Sequence, residues 1–173
     1  MKFILRAVMT VAVFAIPASV QAWSYGVSTD DFTRETSHHA DSKTKIHHTP
    51  GGEVVVSMVR VSGCGGGVRV HLMFSSGAHI QSPHVQFRTD GSSVMSAEGV
   101  LEHPSVGSTQ ASMLTLMPGR HADRFLKLMY QSGPADSLRL RLQGMSVDPV
   151  FPLAGFKSAV GKVLKACNYK LPN

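Results

Sequence analysis

The chain has little of what usually announces an enzyme. Its 173 residues include two cysteines, one tryptophan and three tyrosines, and Asp plus Glu number only 11 against 17 Lys plus Arg. Among the acidic residues, Asp30, Asp31, Asp41, Glu53, Asp90, Glu98, Glu102, Asp123, Asp136 and Asp148 show no pair at a spacing that indicates acid–base work. The motifs G-x-S-x-G and H-E-x-x-H and a phosphate-binding loop are all missing, so no familiar hydrolase, zinc protease or nucleotide chemistry is indicated. Basic residues are scattered and form no run, which argues against a nucleic-acid partner. No repeat, linker or low-complexity block divides the chain.

A long hydrophobic run is also lacking, except at the start. Lys2 and Arg6 precede the apolar stretch Ala7-Val-Met-Thr-Val-Ala-Val-Phe-Ala-Ile16, which falls short of the roughly 20 apolar residues that span a bilayer. Pro17 ends it, and Val20-Gln-Ala22 places small residues where a signal peptidase cuts, so residues 1–22 are expected to be a cleaved signal peptide. Residues 23–173 then form a single β-rich domain without an integral membrane segment, exported to the periplasm, with an extracellular location as the alternative. With Lys2 and Arg6 removed, the net charge of +6 falls to +4.

In an oxidising compartment two cysteines are usually a pair. Cys64 sits between two strand-like runs and precedes three glycines, a position open to a nucleophile, a metal ligand or half of a disulfide. The distant partner is Cys167. Phe156, Ala159, Val160, Val163, Leu164 and Cys167 fall at i, i+3, i+4, i+7, i+8 and i+11, the apolar stripe of a carboxy-terminal helix that points Cys167 at the core of the domain. A Cys64–Cys167 disulfide is therefore expected. It closes a loop of about 100 residues, for which chain entropy suggests on the order of 4 to 5 kcal/mol as an upper figure.

Elsewhere the period is mostly two. Strands are expected at 23–28, 54–61, 68–74, 85–88, 93–97, 112–116 and 138–142, the run from Val54 being apolar on both faces as in a central strand. Asp90-Gly91 signals a hairpin turn. Ala122, Phe125, Leu128 and Met129 line one face of an accessory helix over 120–130. The expected fold is a mainly β, α+β domain: an antiparallel β-sandwich or partly closed barrel with a central accessory helix, a carboxy-terminal helix and one disulfide.

An ordered series of residues carries a family resemblance. Trp23 is followed by Asp30-Asp31-Phe-Thr33, one Cys ends a strand, another strand closes in Phe87-Arg-Thr-Asp90, and Phe151-x-Leu-x-Gly-Phe156-x-x-Ala159 leads to Cys167. The chain resembles the exported VasI/TagO-type proteins linked to type VI secretion, and related small periplasmic proteins of bacteria and prophages. It departs from them in its histidine-rich segment, its glycine-rich turn after Cys64, and Tyr169 where a Trp is expected. The resemblance implies the fold, export and an accessory role in secretion, and it brings no catalytic residue.

Two pairs, His38-His39 and His47-His48, lie in a polar segment, and imidazoles suit zinc or copper. No other ligand spacing frames them, and no cofactor is otherwise expected. Three functions follow as expectations: a non-catalytic cell-envelope binding protein with an envelope protein partner, such as a secretion accessory factor; a periplasmic inhibitor or immunity protein against a toxin or hydrolase; and a histidine-rich metal-binding envelope protein. Specificity is expected in the loops that regular structure leaves free, 34–50, 75–83 and 98–110.

Overall fold

The computed structural model describes residues 22–47, 54–65, 67–75, 80–103, 105–106, 109–145 and 147–172. Of the expected signal peptide, residues 1–21 lie outside the described residues. Twelve strands and two helices follow in order: β1 (Ser24–Thr29), β2 (Thr36–His47), β3 (Val54–Gly63), β4 (Arg69–Phe74), β5 (His84–Thr89), β6 (Met95–Glu98), β7 (Val100–Glu102), β8 (Ser105–Val106), β9 (Thr109–Gln110), β10 (Ser112–Leu116), α1 (Arg120–Gln131), β11 (Ser137–Leu142), β12 (Val150–Pro152) and α2 (Phe156–Ala166). They make a six-stranded sheet in the order β1-β2-β3-β4-β10-β7, a four-stranded sheet β12-β11-β5-β6, and the short pair β8-β9. Every pairing is antiparallel, and neither large sheet closes into a barrel.

Alternation decides which face of each strand is covered. Val55, Val59, Val61, Val70, Leu72, Phe74, Leu114 and Leu116 of the large sheet point to one core. Val85, Phe87, Leu138, Leu140, Leu142 and Phe151 of the small sheet join it. Phe156, Ala159, Val160 and Val163 of α2 and Phe125, Leu126 and Met129 of α1 complete it. Phe125 packs its ring against Phe87, with centroids 4.9 Å apart. The chain passes from the small sheet to the large one at Gly99, where a side chain would overlap the Thr115 carbonyl. Only glycine permits that approach.

The strand expected at 23–28 is β1, whereas the segment 34–50, expected as a loop, contains a further strand. Thr36–His47 is a twelve-residue strand, held between β1 and β3. Its inward positions Ala40, Ser42 and Ile46 are buried, and α2 packs across β1, β2 and β3. Asp30 shapes the turn that precedes it, accepting the backbone N–H groups of Phe32 and Thr33 at 2.9 and 2.6 Å. Those bonds hold its carboxyl below the ordinary carboxylate range. The other expected loop, 98–110, contains β7, β8 and β9, and only parts of 75–83 are described.

Cys64 and Cys167 form the disulfide, with Cα atoms 5.0 Å apart and a sequence separation of 103. It ties the β3–β4 turn to the end of α2. Gly63 makes the approach possible, since an added Cβ would stand 3.0 Å from the Cys167 Sγ and 3.3 Å from Val163. The tail beyond α2 is held separately, by Tyr169 donating its hydroxyl to the Asp123 carboxylate of α1 at 2.7 Å. Burial, and then that carboxylate, push the Tyr169 hydroxyl up to about 12.

Candidate functional site

Strand geometry separates the histidines that the sequence placed together. His38 and His39 are neighbours in β2 and so point to opposite faces. His38 lies on the inner side and makes a 2.7 Å bond with the Tyr25 hydroxyl, while Lys162 of α2 stands 5.6 Å over the Tyr25 ring. His39 covers Gly26 on the outer side, and its Nε2 lies 3.9 Å from Asp41. His47 follows His39 after eight residues of strand, about 26 Å along the chain. His48 lies outside the described residues. Among the described residues no three His, Cys, Asp or Glu side chains converge on a metal position.

The outer face of the large sheet carries an ordered polar row instead. Cross-strand register aligns Asp41, Arg60, His71 and Thr115. Arg60 donates twice to Asp41, at 2.7 and 2.9 Å. Beside that pair, His71 bonds Ser62 through Nε2 at 2.8 Å and Thr115 through Nδ1 at 3.0 Å. Burial, with the charges of Arg60 and Arg69, pushes the His71 imidazole below its ordinary value of 6.5, against a weaker opposing pull from Asp41. Above pH 6.5 neither state binds this proton, so its stabilising effect is complete there. Below that value the unfolded chain takes up the proton first, and stability falls with pH. We expect His71→Gln to flatten the decline in melting temperature between pH 7 and pH 5. An identical decline in both proteins would remove His71 as its source.

The small sheet supplies a broad concavity with arginine walls. Val85, Phe87, Leu138 and Leu140 face the core, so the alternate residues Gln86, Arg88, Arg139 and Arg141 face outward. Register sets Arg88 directly opposite Arg139, and Gln86 opposite Arg141. Two adjoining depressions of about 740 and 510 Å³ share Gln86, Arg141 and Asp148, and together form one trough. Asp148 accepts three hydrogen bonds from Arg141, at 3.4, 3.1 and 2.9 Å, and fixes that guanidinium. Asp90 stands 3.7 Å from Arg139 at the exposed rim. Arg88 has no acidic partner among the described residues. Val94 and Val147, 59% and 39% exposed, add apolar surface.

Like charges opposite one another across a ladder are destabilising. Asp90 offsets part of that repulsion at Arg139, but the Arg88 charge has no such partner among the described residues and no evident use in folding. Sequence alone shows that Arg139 and Arg141 share a face, but not that Arg88 joins them, because the register links residues about 50 positions apart. Of the motif residues that carry the family resemblance, Arg88 and Asp90 lie at this trough. Trp23, Phe87, Phe151, Leu153 and Phe156 are buried and serve the core, while Phe32 is 97% exposed at the β1–β2 turn. Comparison of the chain with protein-family models, with curated proteins and with solved structures finds no match.

Proposed function

We propose that this is a non-catalytic binding protein of the cell envelope, and that it engages an acidic surface of a protein partner through the arginine trough of the small sheet. The observation that supports this most is the Arg88–Arg139 juxtaposition, a cost to folding that a bound anionic surface would offset. The trough is long, open and mixed in character, with Val94 and Val147 beside the guanidinium groups, which suits a protein surface better than a compact small molecule. The signal-like start supports export, and the disulfide is compatible with it. A secretion accessory role is the form of this proposal that the resemblance to VasI/TagO-type proteins favours.

Arg88→Glu with Arg139→Glu tests it. We expect this pair to abolish capture of an envelope partner in a pull-down, while the exposed Lys157→Glu on α2 leaves capture intact. Arg88→Ser alone should weaken capture and leave stability unchanged or slightly raised, because it relieves the cross-strand repulsion. Undiminished capture by the double variant would move the interface off this sheet. A measurable turnover lost on one substitution would make the protein an enzyme.

A further inference from the structure

Three methionines form a row on the outer face of the large sheet. Register sets Met58 of β3 opposite Met73 of β4, and Met73 opposite Met113 of β10. All three are half-buried on the solvent side of the sheet, where their neighbours in the same strands are Arg60, Ser62, Arg69, His71 and Thr115. The row is flanked by Lys43 on β2 and Glu102 on β7, whose charges oppose each other. Nothing in the core requires these side chains, which point away from it. An ordinary solvated face would carry polar residues in these positions, and β-branched ones would suit strand geometry better.

We infer that Met58, Met73 and Met113 form a thioether site for a soft monovalent cation, Cu(I). Adjacent strands lie about 4.8 Å apart, so the outer two backbones stand only about 9.6 Å from each other across Met73. Methionine has three rotatable side-chain bonds, which lets the outer sulfurs lean inward over the central one. Neutral thioethers select Cu(I), whereas calcium and magnesium require oxygen ligands that do not converge here. The nearest cation on β3, Arg60, is tied to Asp41 by two hydrogen bonds. His71 has both ring nitrogens engaged, by Ser62 and Thr115, and is not needed as a ligand. This site is separate from the arginine trough and from the histidine pairs.

The test uses the purified protein under anaerobic conditions, with Cu(I) supplied as its bicinchoninate complex and Ag(I) as a redox-stable probe. The protein should withdraw one Cu(I) per chain from the chelator and bind one Ag(I). X-ray absorption of the copper-loaded protein should show sulfur neighbours only. Met58→Leu, Met73→Leu and Met113→Leu combined keep the side-chain volume, and should abolish stoichiometric binding of both ions. His38→Ala with His39→Ala should leave it unchanged. If the triple variant fails to fold, Met73→Leu alone should reduce the sulfur count of the copper-loaded protein. Failure to withdraw Cu(I), equal binding by the leucine variants, or nitrogen and oxygen neighbours in the absorption spectrum would each overturn the inference.

Discussion

Replacing Cys64 and Cys167 together by serine is expected to lower stability by on the order of 2–5 kcal/mol, and the melting temperature by roughly 5–15 °C. The cross-link spans 103 positions, so without it the unfolded chain gains much of the freedom that loop closure had removed. The folded state loses an anchor as well. α2 packs its Phe156, Ala159, Val160 and Val163 in the core, and Cys167 at its end fastens it covalently to the β3–β4 bend. Cys64 has φ 91°, a backbone conformation that a residue with a Cβ adopts at a cost. Combining Cys64→Gly with Cys167→Ser should therefore be less destabilising than the double serine variant, by roughly 1 kcal/mol. Calorimetry of the three proteins separates the two effects. Equal melting temperatures for all three would show that neither the cross-link nor the turn strain contributes. Partner capture should decline only at temperatures where the serine variant unfolds.

Trp23→Ala is expected to cost about 3–5 kcal/mol, the range for removing a large aromatic side chain from a core. Trp23 is fully buried, with its ring edge-on to Phe156 at 5.0 Å. Its indole N–H donates to the Pro152 carbonyl at 2.9 Å. That one side chain joins the chain entering β1 to both β12 and the first turn of α2. Trp23→Phe keeps an aromatic ring but leaves the Pro152 carbonyl without this donor, for a loss of roughly 1–3 kcal/mol. Chemical denaturation followed by circular dichroism measures both variants. As the sole tryptophan, Trp23 also gives the native protein a direct optical readout. Its emission should be blue-shifted when folded and move to longer wavelength in the same transition that melts the sheets. A native emission typical of water would contradict its burial.

The elements easiest to read in the sequence were those with the cleanest period. Ser112–Leu116 coincides with the expected strand, and the helix expected over 120–130 ends one residue later. The apolar stripe from Phe156 to Cys167 correctly aimed Cys167 at its partner, because a 3.6-residue repeat sets side-chain direction before any tertiary contact forms. β2 was obscured by composition. Lys43, Lys45 and the histidines describe its outer face and its end near α2, while its inward residues Ala40 and Ser42 are too small to stand out as a hydrophobic pattern. Its strand conformation comes from the backbone bonds that β1 and β3 supply on either side. β7 and β12, three residues each, are too short to show a period at all.

By itself, the sequence determined which residues alternate, which face of each helix is apolar, and that two cysteines in a β-rich chain would pair. These properties are local, or depend on a count. Tertiary structure alone decided the rows that cross the strands: Arg88 against Arg139, Met58 with Met73 and Met113, and His71 between Ser62 and Thr115. It also parted His38 from His39, whose adjacency in sequence puts them on opposite faces of β2. The physical reason is that a strand fixes the side of the sheet for each residue through its own period of two, whereas the neighbour across the ladder is set by register. Register depends on the turns and on the whole buried face fitting at once.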